Sequence, residues 1–331
     1  MPGPVNRPSG CRILALAALS AGCQGEQSSL APAGPQAERV AEMGWLMLAG
    51  ASAILLLVTA MTAYAAYAPD HARWLGHRRT VIAGGLAFPA IVLTALLLYE
   101  FASASGLAQD ARRETPLRIE AVGEQWWWRV RYPGDGEAAT SANEIHLPVG
   151  RLVEFVLTSP NVIHSFWIPP LGGKLDMIPG RENVLVLEAS KPGTYRGQCA
   201  EFCGLQHARM AFHVVAHAPD EFSQWLERER RPAREPDEPQ LTKGRDLFIN
   251  YGCGGCHAIR GTDAIGEMGP DLTHVASRRS LGAGILPNDR ETMIAWIADS
   301  QRLKPGNLMP PFDTIPRGEL EAIAAYLGSL K

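Results

Sequence analysis

Hydrophobic positions along the chain fall into three regimes. Residues 45–67 and 80–99 are apolar runs without a charged side chain. At a rise of about 1.5 Å per residue, each predicts a helix long enough to cross a hydrocarbon layer about 30 Å thick. Trp45, Tyr64, Tyr67 and Tyr99 lie near the run ends, where amphipathic rings favour a membrane interface. Pro89 falls inside the second run and predicts a kink that lipid-embedded helices tolerate. Two transmembrane helices are therefore expected within 43–102.

From about Leu117 to Ala218 the pattern changes to period two. The stretches LRIEAV, RLVEFVL, NVLVLEA and MAFHVVA are short, rich in β-branched residues, and separated by turns such as YPGDG and SKPGTY. This predicts an all-β sandwich or barrel over 112–228. After it comes ERERRPAREPDEPQ, mixed in charge and proline-rich, which predicts an exposed, partly extended linker over 229–241. The last segment, 242–331, reads as helical. Thr242 is expected to cap KGRDLFINYG and Gly252 to stop it. Asn288 or Asp289 is expected to cap a helix carrying Met293, Ile294, Trp296 and Ile297, and RGELEAIAAYLGSL predicts another.

Net charge is −3, so bulk charge offers nothing to nucleic acid. The loop between the apolar runs holds Arg73, Arg78 and Arg79. Positive-inside logic places it in the cytoplasm, and everything after about residue 102 outside. At the start, Arg7 and Arg12 precede the apolar ILALAALSAGC, which reads as an export signal over 1–23. Ser20, Ala21 and Gly22 before Cys23 resemble a bacterial lipobox, with the usual Leu displaced to Leu19. Lipidation at Cys23 is expected, a plain export signal being the alternative.

If the leader with Cys11 is removed, two close pairs of cysteines remain. The first lies in CAEFCGLQHARM, with Cys199, Cys203, His207 and Met210, and His164 stands upstream in NVIHSFWIP. Thiolate and thioether sulfur favour copper, and imidazole suits copper or zinc. A mononuclear blue-copper site needs one Cys and two His; here there are two Cys. Two thiolates can each bridge two coppers, with one His on each metal and Met210 and a backbone carbonyl as weak outer ligands. Such a site has no open position, so it suits electron transfer. A structural zinc site or a disulfide would use the same cysteines.

The second pair is CGGCH, Cys253 to His257, the attachment pattern of a c-type haem, in which two thioethers hold the porphyrin and the adjacent His ligates iron. The other axial position has four candidates: Met268, His274, Met293 and Met309.

These motifs carry a resemblance. HSFWIP…CAEFCGLQHARM resembles the dinuclear copper (CuA) signature of cytochrome c oxidase subunit II, KLDMIPGR its loop facing subunit I, and GEQWWW its aromatic strand. The order of two membrane spans and a cupredoxin-like sandwich is also similar, and the tail resembles the fused cytochrome c of the bacterial caa-type. The resemblance implies His164, Cys199, Cys203, His207 and Met210 as side-chain copper ligands. It implies the Glu201 carbonyl as another, with the Glu201 carboxylate toward a magnesium ion at the subunit I interface. It implies Trp126 as the residue where electrons enter. GNLMPPF is similar to the axial-Met loop of cytochrome c and favours Met309. It further implies subunits I and III as partners, a cytochrome c or upstream complex as donor, and a bacterial inner membrane location with both cofactor domains on the periplasmic side. Oxygen reduction and proton pumping would belong to the assembled complex. Two departures stand out: the acidic residue usual before the second span is absent from TVIAGGLAF, and Glu124 replaces the usual His before QW.

Other classes fit less well. A quinol oxidase subunit II lacks the copper cysteines, and nitrous oxide reductase needs more than the nine histidines here. A membrane-anchored copper carrier or assembly protein, or a stand-alone electron carrier, remains the alternative.

Overall fold

The computed structural model describes residues 25–110, 116–134, 136 and 138–331. The expected export signal and Cys23 lie outside the described residues. The chain forms two compact units, Glu38–Thr115 and the remainder.

The first unit is helical. Helix α1 spans Pro35–Tyr67, starting ahead of the expected Trp45 and entering this unit at Glu38. Helix α2, Arg78–Ile82, runs through a π-turn at Ala83–Ala87 into α3, Phe88–Asp110. The π-turn ends two residues before Pro89. Proline has no N–H for the helical ladder, and its ring crowds the carbonyl four residues back. A locally widened turn accommodates both effects. Both long helices are apolar enough to cross a membrane, and their most apolar windows bury nothing within the protein.

In the second unit the alternating stretches become strands. β1 (Leu117–Glu124), β2 (Trp127–Tyr132), β3 (Ala139–Ala142), β5 (Val153–Thr158) and β8 (Asn183–Leu187) form one sheet in the order β3-β2-β1-β5-β8. β4 (Glu144–Pro148), β6 (His164–Trp167), β7 (Leu175–Met177), β9 (Gly193–Cys199) and β10 (Ala211–His217) form the other, β4-β10-β9-β6-β7. The β1/β5 and β4/β10 pairs are parallel. Period two places Ile119 and Ala121 of β1 inside. Between the sheets, Trp128, Phe155, Phe166 and Phe212 form an aromatic core, with contacting rings 4.9–5.7 Å apart. Burying each contributes about 1.5–3 kcal/mol.

Residues 25–37 also belong to the sandwich, which the hydrophobic pattern does not suggest. Ala33 N–H donates to the Pro170 carbonyl at 2.7 Å, and Ser190 N–H to the Ala33 carbonyl at 2.7 Å.

The expected linker over 229–241 is non-helical over its middle, 231–238, and helical at both ends. α4, Pro219–Arg230, runs into its start and α5, Pro239–Asn250, takes its end, leaving 231–238 between them. That stretch is mostly exposed, as expected, but is tied to the C-terminal domain: Ala233 N–H donates to the Arg260 carbonyl at 2.8 Å. Thr242 is not a cap; it lies inside α5, its hydroxyl bonded to the Glu238 carbonyl at 3.2 Å. Pro239 opens the helix, where its missing N–H costs nothing. Gly252 takes the left-handed conformation (φ 75°) just beyond the helix end. α6 (Arg290–Ala298) is capped by Asp289, which accepts from Thr292 N–H at 2.8 Å. α7 (Ser300–Leu303) and α8 (Arg317–Ser329) follow, and a small ribbon pairs β11 (Ser280–Leu281) with β12 (Leu286–Pro287). Phe248, Ile294, Ile323 and Leu327 make a second core.

Candidate functional site

The β9–β10 ladder ends where Cys199 N–H donates to the Met210 carbonyl at 2.9 Å. That bond closes the base of the loop from Cys199 to Met210, so local ladder geometry returns Met210 to the two thiols. β6 lies beside β9, with Phe166 opposite Cys199, and this brings His164 from the neighbouring strand. The Cys199 and Cys203 sulfurs are 3.7 Å apart, too far for a disulfide of about 2.05 Å. His164 Nδ1 lies 3.8 Å from Cys199 Sγ, and His207 Nδ1 3.8 Å from Cys203 Sγ. On the outer sides, the Glu201 carbonyl is 3.1 Å from Cys199 Sγ and Met210 Sδ 3.9 Å from Cys203 Sγ. Each sulfur thus has one imidazole and one weak donor.

Donor atoms of His164, Cys199 and Cys203, all buried, lie within 4.8 Å of one another. The Cys199 thiol is pulled down to about 3 by the hydrogen bond from Cys203, while Cys203 is pushed up by the same pairing. Copper ligation needs thiolates, so bound metal would displace the thiol protons here. Gly123 makes room for His164, since a Cβ there would come within 2.9 Å of the imidazole. The donor chemistry fits a pair of copper ions. The Glu201 carboxylate is partly exposed, 4.0 Å from Lys174 Nζ.

Trp126 lies in the turn between β1 and β2, not in a strand, and its indole N–H donates to the Cys203 carbonyl at 2.9 Å. Gly204, at φ 113°, passes under the ring, where a Cβ would approach Trp126 to 3.1 Å. Of the three tryptophans, Trp128 is core, and Trp127 carries the Arg129 guanidinium 4.7 Å above its ring. Glu124, which stands where the family usually has His, pairs with Arg129 at 3.1 Å.

A mainly apolar cavity in the C-terminal domain is lined by Cys253, Cys256, His257, Met293 and Met309, with Trp126 and Trp127 at its wall. His257 Nδ1 is 2.8 Å from the Pro270 carbonyl, which sets that nitrogen as the donor and leaves Nε2 as a ligand atom. Burial holds its pKa down, keeping the imidazole neutral. Gly269 lets it sit close, since a Cβ there would reach within 2.5 Å of the ring. The cavity, two thiols and a poised imidazole fit a covalently held haem.

Of the axial candidates, Met309 is partly buried and lines the cavity. Its carbonyl accepts from the Ser300 hydroxyl and the Gln301 amide, both at 2.8 Å. Met293 is packed in the core. Met268 is largely exposed. His274 is engaged elsewhere, its Nε2 donating to the Arg231 carbonyl at 3.0 Å.

Two features escape sequence reasoning. Lys304 is fully buried between the domains. His146 bridges Glu144 (2.9 Å) and His217 (2.7 Å) while stacking on Trp225, and Glu144 accepts from Arg279 N–H of the C-terminal domain at 2.8 Å. Neither residue set has a motif; only folding brings them together.

Comparison with known proteins bears on both domains. Residues 134–217 match the family described as "Cytochrome C oxidase subunit II, periplasmic domain", and residues 241–331 match "Cytochrome c". Cytochrome c oxidase subunit 2 of Alkalihalophilus pseudofirmus is 41% identical over 218 residues, 66% of this chain; the chain spans 62% of that protein's length. The subunit 2 of Bacillus subtilis is 32% identical over 263 residues, 76% of this chain and 73% of that protein. The crystal structure of the periplasmic domain of subunit II of cytochrome oxidase of Bradyrhizobium japonicum is 35% identical, covering 34% of this chain and 93% of that one at a TM-score of 0.33. With copper implied by the first domain and haem c by the second, the chain belongs to the cytochrome c oxidase subunit II family and carries a cytochrome c domain after its copper domain.

Proposed function

We propose that this chain is the electron-receiving subunit of a respiratory haem–copper oxidase: its c-type haem takes electrons from an external donor and its dinuclear copper site delivers them to subunit I, where oxygen is reduced to water with proton pumping. The observation that carries the reading is the arrangement of two thiols 3.7 Å apart, each with its own imidazole.

Cys199 and Cys203 would bridge two coppers. His164 and His207 would each ligate one, and Met210 and the Glu201 carbonyl would stand as outer ligands. The ligand set leaves no position for substrate, and the aromatic core beneath holds His164 in place, Trp128 lying 6.2 Å from its ring. Cys253 and Cys256 would hold the haem, with His257 and Met309 axial. The Glu201 carboxylate, partly exposed and 4.0 Å from Lys174 Nζ, is proposed as the magnesium ligand at the subunit I interface. Trp126, bonded to the Cys203 carbonyl and lining the haem cavity, is proposed as the residue through which electrons reach the copper site.

Two membrane-length helices and the match to a periplasmic domain support anchoring in the bacterial inner membrane. Subunit I, and subunit III beside it, are the proposed partners; a cytochrome c or an upstream complex is the proposed donor.

The test is to load the full chain with haem and copper and record copper per haem with the copper paramagnetic resonance spectrum. Two coppers per haem, with hyperfine structure shared equally over both nuclei, is the expected result. One localised copper, or zinc alone, would make the loop a carrier or structural site.

A further inference from the structure

The copper and haem domains meet at a buried lysine. Lys304 follows α7 in the haem domain and is 2% exposed. Among the described residues no carboxylate partners it. Its ammonium instead donates to three backbone carbonyls: Trp126 at 2.8 Å, Arg209 at 2.9 Å and Gly282 at 2.9 Å. The first two belong to the copper domain and the third to the haem domain. An ammonium has three donors, so every one is used. Burying it otherwise would be strongly unfavourable. Desolvation lowers its pKa, with Arg209 adding to the fall and Cys203 opposing it, while three carbonyls, which can only accept, favour the protonated form.

The residues around it extend the attachment. The Leu303 carbonyl accepts from Arg209 Nη1 at 3.1 Å, and the Pro305 carbonyl from Gln206 Nε2 at 2.7 Å. On the copper side, Trp126, whose carbonyl Lys304 holds, donates through its indole to Cys203. On the haem side, the Lys304 carbonyl accepts from the Asn307 amide at 2.7 Å, and Asn307 Oδ1 accepts from Met309 N–H at 2.8 Å. One short segment thus joins the loop bearing the proposed axial thioether to the loop bearing the proposed copper thiolates.

We propose that Lys304 is a positioning residue for electron transfer between the two domains, its ammonium clamping the Met309 loop of the haem domain onto the Trp126 turn of the copper domain. The proposal rests on the cofactor assignment above. The step it serves moves one electron and makes or breaks no bond: ferrous haem becomes ferric, and the copper pair gains one reducing equivalent. Because Lys304 and Gly306 lie over Trp126, that side of the copper loop is taken up by this chain's own haem domain.

The experiment uses the full chain loaded with haem and copper, and follows the haem-to-copper transfer rate after flash photoreduction of the haem. Lys304→Met keeps the chain length and removes the charge and donors. It should slow transfer by about tenfold or more, the scale on which small misplacements of reacting groups act. Lys304→Arg keeps charge and donors and should recover most of the rate. Copper and haem spectra should match wild type in both. If Lys304→Met fails to take up both cofactors, Lys304→Gln is read in its place. A wild-type rate in the neutral variant overturns the proposal, and so does equal slowing in the Arg and neutral variants, which would mark Lys304 as packing alone. Failure of the cofactor assignment shows separately, as a wild-type chain without the shared-copper spectrum.

Discussion

The indole N–H of Trp126 donates to the carbonyl oxygen of Cys203 at 2.9 Å, so the residue at the wall of the haem cavity is hydrogen-bonded to the backbone of a candidate copper ligand. Trp126→Phe keeps an aromatic ring and removes the donor; Trp126→Leu removes both. Loss of one such bond costs about 0.5–1.5 kcal/mol, small enough for the loop to stay folded. Interdomain electron transfer should slow in both variants, more in Leu, at unchanged copper and haem content. A wild-type rate in the Leu variant would exclude Trp126 from the path.

Gly123 offers a test of the metal site that leaves every ligand in place. A methyl group there would lie 2.9 Å from the His164 ring. The ring is fully buried and backed by Trp128, so it cannot retreat without disturbing the aromatic core. Overpacking of this kind costs about 1–3 kcal/mol. Gly123→Ala should therefore bind copper more weakly, and dialysis against a chelator should strip it faster than wild type while haem content holds. Equal retention would mean that His164 does not need this position.

The thioether of Met309 can be tested apart from haem attachment. Met309→Ala leaves Cys253, Cys256 and His257 untouched, so the haem should remain covalently bound. Replacing the thioether should abolish the methionine-ligand band of the ferric haem and lower its potential. A variant that keeps a low-spin, methionine-like spectrum would transfer the assignment to another side chain, with Met293 next in the cavity lining.

Much of this architecture is legible in the chain because the informative features are local. The two uncharged runs declare their length directly. Period two declares strands. CAEFCGLQHARM and CGGCH place soft donors at spacings that one loop can gather, and the closing bond from Cys199 to Met210 is a consequence of an ordinary hairpin ladder. Features created by distant packing are not legible. Lys304 in LKPGN looks like a solvated charge, and its burial depends on carbonyls from residues 126, 209 and 282. Proline and charge in 229–241 suggest an exposed, partly extended linker, which 231–238 is, but they do not show that Glu229 is buried in the last turn of α4, where the C-terminal domain folds back over it. The role of residues 25–37 likewise depends on backbone partners more than a hundred residues away.

That buried Glu229 gives a pH-dependent stability. The residue is 6% exposed, and desolvation raises its pKa from 4.5 to about 7, against the pull of Arg278 and Arg260. Below pH 4.5 the group is protonated in both folded and unfolded chains and contributes no slope. Between 4.5 and about 7 the unfolded chain releases the proton while the folded chain keeps it, so stability falls as pH rises. Above about 7 both forms are ionised and the loss is complete. The linkage amounts to about 3 kcal/mol across the window. Glu229→Gln cannot ionise and should lose this component, so the variant should gain stability relative to wild type as pH rises from 5 to 8. Thermal unfolding of the loaded chain in detergent at those two pH values measures the difference. Parallel Tm shifts in wild type and Glu229→Gln would show that Glu229 is already ionised in the folded protein, held by Arg278 and Arg260 as a buried ion pair.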